Sequence, residues 1–248
     1  MTIVITGGTR GIGLAIAQGL VGRGEPLLLG YNTDQRAADA AVARLPALGA
    51  RAAAMASDVG TIDGAAALMQ RASALGGPIT GLIHSAATIY PTTLLDAELA
   101  RFTQAVQTNG LSLLYLVRSA LPFMQRGGSV VFVSSAGARA SQPRYGALGT
   151  GKALAESLLR YLAPELAPLG IRINAIAPGL MQTDSVADMV GGQDAADRLF
   201  ERAAKANPSG RLTSGEDCAA LVRFLLNPDA EFIQGQVIHA NGGAYVGG

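Results

Sequence analysis

The run Thr6-Gly7-Gly8-Thr9-Arg10-Gly11-Ile12-Gly13 sets Gly7, Gly11 and Gly13 between an apolar stretch at 2–6 and an amphipathic stretch that begins near Gly11. Glycine at these points lets the backbone turn sharply and approach a phosphate with no Cβ in the way. A helix opening there offers unpaired N–H groups and the positive end of its dipole to an anion. A glycine pattern alone is weak evidence. Placed after a strand and before a helix, it marks a dinucleotide pyrophosphate site. Gly7, Thr9, Arg10, Gly11, Ile12 and Gly13 are therefore candidate cofactor contacts, against the plainer reading of a Gly-rich turn.

The next informative residues follow the second apolar run, which reads Leu29-Gly30-Tyr31-Asn32-Thr33. NAD sites place a carboxylate here to hold the ribose 2′-OH. The first acid in this chain is Asp34, later than that role requires. Arg10, inside the glycine turn, can face a 2′-phosphate, so the reading favours NADPH over NADH, with Tyr31 at the edge of the site. The plain alternative is a solvated Arg10. Asp58, followed by Val59, can accept a hydrogen bond from the adenine amino group, cap the helix that follows, or both.

These residues need a scaffold that brings strand ends together. Short β-rich runs at 2–6, 26–31, 51–56, 80–85, 129–134, 171–176 and 235–239 alternate with helical spacing near 11–23, 34–48, 61–76, 96–126, 147–169 and 214–226. Strands alternating with helices imply βαβ units, hence an α/β fold: a doubly wound, Rossmann-like parallel sheet covered on both faces. Val130-Val131-Phe132-Val133 is apolar throughout, as a central parallel strand should be. Right-handed crossovers then collect the loops after the strands along one edge, where ligands bind in such sheets. The whole chain, 1–248, reads as one domain. Segment 184–206 interrupts the alternation, is divided by Gly191-Gly192, and reads as an inserted helical lid over a substrate.

Composition narrows the partners. Apolar residues make up 49% of the chain and charged ones 15%, with a net charge of +1, which argues for a large core and against disorder. There is no basic run and no aromatic-rich basic stripe, so neither nucleic acid nor a membrane is expected as a partner. One cysteine, Cys218, and two distant histidines, His84 and His239, suggest neither a disulfide nor a metal site. The chain starts on an apolar strand with no charged leader, and no apolar stretch approaches the roughly 20 residues needed to span a bilayer, so an intracellular, cytoplasmic protein is expected.

Read together, Thr6-Gly7…Gly11-Ile12-Gly13, Asp58-Val59, Asn109, Ser134-Ser135, Lys152, Ile171-Arg172-Ile173-Asn174-Ala175-Ile176-Ala177-Pro178-Gly179, Thr183 and Gly235-Gln236…Asn241-Gly242-Gly243 resemble the short-chain dehydrogenase/reductase family from end to end. Ordinary members carry Tyr-x-x-x-Lys. Here the residue four before Lys152 is Leu148, which cannot donate a proton, and the nearest tyrosine is Tyr145. A Tyr-x6-Lys spacing is similar to the enoyl-acyl carrier protein reductases of this superfamily. Seven residues are nearly two helical turns, so both side chains share a face, with Tyr145 about 4.5 Å further along the axis than a tyrosine at 148. Enoyl reduction puts hydride on the β-carbon, two carbons from the carbonyl oxygen that gains charge, and a displaced hydroxyl suits it.

The resemblance implies a role for each residue. Tyr145 stabilises or protonates the enolate oxygen, Lys152 holds the nicotinamide ribose and lowers the Tyr145 pKa, and Ser135 hydrogen-bonds substrate or water. Asn109 orders the site through a water or backbone contact. Thr183, after Pro178-Gly179, meets the carboxamide, and Ala86 belongs to the adenosine-side loop His84-Ser85-Ala86-Ala87. His84 reads better as a satisfied structural residue than as a catalyst, and Pro164 should cost the helix after Lys152 a hydrogen bond. Met189, Val190, Leu199 and Phe200 of the lid suit an acyl chain, and Arg198, Arg202 and Lys205 an acidic carrier protein, unless this is simply an amphipathic helix with a solvated face. The substrate expected is an acyl thioester and the assembly a homotetramer. Two rivals stand: a carbonyl reductase or alcohol dehydrogenase of the same superfamily, and a catalytically silent dinucleotide-binding sensor.

Overall fold

The computed structural model describes residues 1–246. Its strands are β1 (Thr2–Thr6), β2 (Leu27–Tyr31), β3 (Ala52–Ala56), β4 (Ile79–His84), β5 (Met124–Val133), β6 (Arg172–Pro178) and β7 (Val237–Ala240). They form one sheet in the order β3-β2-β1-β4-β5-β6-β7, and every neighbouring pair is parallel. The order reverses between β1 and β4, which places the ends of these two strands at the crevice where such sheets take ligands.

Apolar side chains on both faces of each central strand explain the layering, because a strand's successive side chains point to opposite sides. Val4, Leu28, Leu82, Val130, Phe132 and Ile173 enter one core, while Ile3, Ile5, Leu27, Leu29, Ile83 and Val131 enter the other. The first core is covered by α3 (Ile62–Gly76), α5 (Ser112–Ala120) and α6 (Gly146–Leu166). The second is covered by α1 (Gly11–Gly19), α2 (Gln35–Arg44) and α9 (Gly215–Leu226).

Helix ends follow local chemistry. Thr61 caps α3 by accepting from the Gly64 N–H, and Ser214 with Asp217 forms a capping box on α9. Asp58, offered above as the cap of α3, instead accepts from the Gly60 N–H one turn earlier.

The span 96–126 is not one helix. It divides into α4 (Leu99–Val106), a π-turn over Gln107–Leu111 and α5. At the wide turn α6 passes so close that a Cβ on Gly110 would lie 2.7 Å from the Gly151 carbonyl oxygen. Pro122 enters a short 3₁₀ turn after α5, and β5 begins at Met124, inside the stretch read as helical. Pro164 lies within α6, which runs on to Leu166, so its missing donor falls in the last turn. Segment 184–206 is helical, with α7 (Asp184–Val190) and α8 (Gln193–Ala206) separated at Gly191 and Gly192, both at positive φ.

Candidate active site

The glycine turn sits at the carboxyl end of β1, with Gly7 and Gly11 at φ +62° and +53°. A Cβ on Gly13 would lie 2.1 Å from the Gly7 carbonyl oxygen, and one on Gly7 2.9 Å from the Ala86 backbone, so the turn is closed down against β4's end and against itself. Arg10 occupies the N-cap of α1 without a side-chain cap, leaving the first-turn N–H groups to an outside acceptor. This cradle fits the pyrophosphate of a dinucleotide: positions 7, 8, 11 and 13 carry no Cβ, the turn opens on a helix with no side-chain cap, and Thr183 lies beside Gly11. Thr9 is buried in the turn, Arg10 is exposed, and Ile12 packs partly into the second core.

At the end of β2 the Tyr31 hydroxyl donates to Gln35 Oε1. Asp34 Oδ1 accepts from the Ala37 N–H at 2.9 Å and caps α2. The late carboxylate is thus occupied in holding a helix end. Asp58 and buried Val59 follow β3.

Between the cradle and the opposite half lies His84, fully buried at the end of β4. Thr6 Oγ1 accepts from the Ala86 N–H, and Ser112 Oγ donates to the Thr108 carbonyl. With those two hydroxyls so committed, only one tautomer satisfies the ring. Thr6 donates to Nδ1 at 2.7 Å, and Nε2–H donates to Ser112 at 2.6 Å. Burial, aided by the charge of Lys152, pushes the His84 pKa down to about 3, so the ring is neutral and structural.

The chemical residues gather where β5 ends against α6. The Tyr145 hydroxyl donates to Ser135 Oγ at 3.2 Å, and Ser135 also accepts from the Gly137 N–H to cap the 3₁₀ turn Ala136–Ala138. Tyr145 is the N-cap of α6, one residue beyond Arg144, whose φ of +58° is the only positive value at a non-glycine among the described residues. Lys152 lies buried within α6, donates to the Val133 carbonyl at 2.7 Å, and stands 4.5 Å from the centre of the Phe132 ring. Burial lowers its pKa to about 7. The Tyr145 phenol is raised by burial, with the Ser135 hydrogen bond opposing. Desolvation therefore outweighs the Ser135 hydrogen bond, and Lys152 does not lower this phenol as the sequence suggested. Leu148, at the ordinary tyrosine position, is buried hydrocarbon.

Asn109, in the π-turn, clamps Thr88: its Oδ1 accepts from the Thr88 N–H at 2.8 Å and its Nδ2 donates to the Thr88 carbonyl at 3.0 Å. Pro178 ends β6 and Gly179 follows, its amide donating to Ala240. In segment 184–206, Phe200 is buried, Met189, Val190 and Leu199 are half-buried, and Arg198, Arg202 and Lys205 are exposed, Lys205 pairing with Glu201 at 2.7 Å. Among the described residues no group of His, Cys, Asp or Glu is placed to hold a metal ion, and no helix is long and apolar enough to cross a membrane.

The residue the sequence did not single out is Glu156. It is 3% exposed, one turn after Lys152, and takes hydrogen bonds from Ser134 Oγ and Arg139 Nε. The available signal was its i+4 spacing from a lysine already placed in the site.

A family model described as Enoyl-(Acyl carrier protein) reductase matches residues 7–245. A 3-oxoacyl-[acyl-carrier-protein] reductase of Staphylococcus aureus is 29% identical over 245 residues, covering 98% of this chain and 97% of that protein. Crystal structures of an NADH enoyl-[acyl-carrier-protein] reductase from Aquifex aeolicus VF5 and of a short chain dehydrogenase from Burkholderia cenocepacia J2315 in complex with NADP both superpose with a TM-score of 0.87. The first is 28% identical and covers 100% of this chain and 97% of its own; the second is 27% identical and covers 98% and 96%.

Proposed function

Because the chain belongs to the short-chain dehydrogenase/reductase superfamily, and within it to the enoyl-(acyl carrier protein) reductase family, we propose that this oxidoreductase saturates the double bond of trans-2-enoyl thioesters with NADPH. The observation that carries this reading is the position of the phenol. The residue four before Lys152 is a buried leucine, while the hydroxyl that reaches Ser135 belongs to Tyr145, seven before it.

NADPH, when bound, supplies the hydride. The uncapped N–H groups of α1 and the turn 7–13 hold the pyrophosphate, and Arg10 meets the 2′-phosphate, since Asp34 is engaged as a cap. Tyr31, Asp58, Val59 and Ala86 line the adenosine side, Lys152 orients the ribose, and Pro178, Gly179 and Thr183 border the carboxamide. When substrate binds, the Tyr145 hydroxyl turns from Ser135 to the thioester oxygen and gives its proton to the enolate; the enol then returns to the saturated thioester as its α-carbon gains a proton and its O–H loses one, and solvent reprotonates the phenolate. Ser135 orients the phenol, and Asn109 fixes the wall at Thr88.

The likeness to the Staphylococcus aureus 3-oxoacyl reductase favours a second reading, in which the same phenol meets a ketone oxygen. One comparison separates them: NADPH oxidation with crotonyl thioester, acetoacetyl thioester and simple ketones, each with Tyr145→Phe alongside. Turnover of the crotonyl compound, falling about 10²- to 10⁴-fold without the phenol, is expected. Turnover of ketones alone would end the enoyl assignment, and tight cofactor binding without any turnover would leave a sensor.

The lid's apolar side chains suit an acyl chain, and its exposed arginines an acidic carrier. A cytoplasmic homotetramer completes the reading. β7 is an edge strand whose four residues are all half-exposed, and Phe232, five residues before it, is fully exposed, which offers a surface for a second copy that light scattering would test.

A further inference from the structure

We infer that Glu156 is a positioning residue that locks the shelf carrying Tyr145. The N-cap and two positions of α6 grip three consecutive residues, the last of β5 and the two that follow it. Lys152 Nζ holds the Val133 carbonyl, Glu156 Oε1 accepts from Ser134 Oγ at 2.5 Å, and the Tyr145 hydroxyl reaches Ser135 Oγ. Positions 145, 152 and 156 fall within about 40° of one another at 3.6 residues per turn, so they form one stripe. The second oxygen of Glu156 takes Arg139 Nε at 3.0 Å. One carboxylate thus ties both ends of segment 134–139. Between those ends lie Ser135 and Gly137, the residues that the Tyr145 side chain touches.

The chemistry of the clasp argues for geometry over stability. A buried ion pair loses much of its attraction to desolvation, and hydrocarbon of the same volume often stabilises a fold as well. A carboxylate with both oxygens engaged, in two directions, does what hydrocarbon cannot: it sets the separation and orientation of the two groups it joins. The 3₁₀ turn between them has no buried side chain of its own to fix it.

The inference concerns how the phenol is held, and rests on the reading above only in taking that phenol as the acid. The test is carbon-13 NMR of the folded protein labelled at tyrosine Cζ, with Tyr145→Phe identifying the Tyr145 signal among six. Arg139→Met removes one arm from a partly exposed position but leaves the Glu156 carboxylate without its cation, so it is expected to lower the thermal midpoint while the protein still folds at the temperature of the measurement. Glu156→Gln is the companion variant. Each is expected to move or broaden the Tyr145 signal while the other tyrosines stay in place, and Arg139→Lys to restore it. With whichever thioester the wild type reduces, kcat should fall about 10- to 100-fold in Arg139→Met at unchanged NADPH affinity, and should show no further loss on the Tyr145→Phe background. A Tyr145 signal unmoved in Arg139→Met would overturn the inference. So would all tyrosine signals moving together with the thermal midpoint, which would mark a merely structural role. If no thioester turns over, the enoyl reading falls and the NMR signal still decides this one.

Discussion

Tyr145 lies so close to Gly137 that a Cβ there would fall 2.4 Å from Cε1 and 2.7 Å from Cδ1 of its ring. The absence of a side chain at 137 therefore sets how far the phenol swings toward Ser135. Gly137→Ala is expected to push the ring outward and lengthen the 3.2 Å contact with Ser135. A displacement near 1 Å of a positioned group costs about 10² in rate. Steady-state kinetics should show that loss in kcat, with NADPH affinity and the thermal midpoint nearly unchanged. Full activity in the alanine variant would show that the ring has room the packing denies.

Acid should weaken the fold through His84. Its pKa is depressed from 6.5 to about 3, first by burial and second by Lys152. Between those values the unfolded chain binds a proton that the folded chain refuses. The stability His84 contributes is thus fully present above pH 6.5 and is lost as pH falls toward 3. Protonation would also give Nδ1 a hydrogen facing Thr6 Oγ1, which already accepts from the Ala86 N–H. The free energy of urea unfolding should drop over this range with a slope of up to about 1.4 kcal/mol per pH unit from this group. His84→Asn, which keeps one donor and one acceptor, should flatten that part of the curve.

The strands, their parallel pairing and the glycine turn were legible in the sequence because apolar runs and glycine spacing are local signals. Leu148 in place of tyrosine was legible for the same reason. The split of 96–126 was not, since the π-turn at Gln107–Leu111 answers to the passage of α6 at Gly151, a tertiary contact. Nor was the cap of α3: both Asp58 and Thr61 have the chemistry, and only the backbone course selects Thr61. Glu156 reads as one more charged helical residue until the fold buries it beside Ser134 and Arg139. The direction of the Tyr145 pKa shift likewise depends on burial, which no spacing reveals.

Cofactor choice and helix capping should separate cleanly at two neighbouring sites. Arg10 is exposed at the N-cap of α1, whereas Asp34 spends its carboxylate on the Ala37 N–H. Arg10→Gln should lower kcat/KM for NADPH about tenfold, the worth of roughly 1.4 kcal/mol, and leave NADH unchanged. Asp34→Ala should cost about 1 kcal/mol of stability through the lost cap and shift neither cofactor. The measurement is kcat/KM for both nucleotides alongside urea unfolding. A change of cofactor preference in the Asp34 variant would reverse the two assignments.

Asn109 should tolerate charge worse than truncation. Its amide both accepts from and donates to the backbone of Thr88, and the residue is fully buried. Alanine there leaves the Thr88 N–H and carbonyl without partners, at a cost of about 1–3 kcal/mol for each group that water cannot reach. Aspartate keeps the acceptor for the N–H but turns a second oxygen toward the Thr88 carbonyl, and it brings a buried charge with no cation among Asn109's hydrogen-bond partners. It should therefore unfold at lower urea than alanine at pH 7, despite being closer in shape to the native residue. The difference should narrow on acidification, because a protonated carboxyl regains the donor that asparagine supplies. An aspartate variant as stable as wild type at neutral pH would mean that the π-turn opens to water and that Asn109 does not hold the site wall.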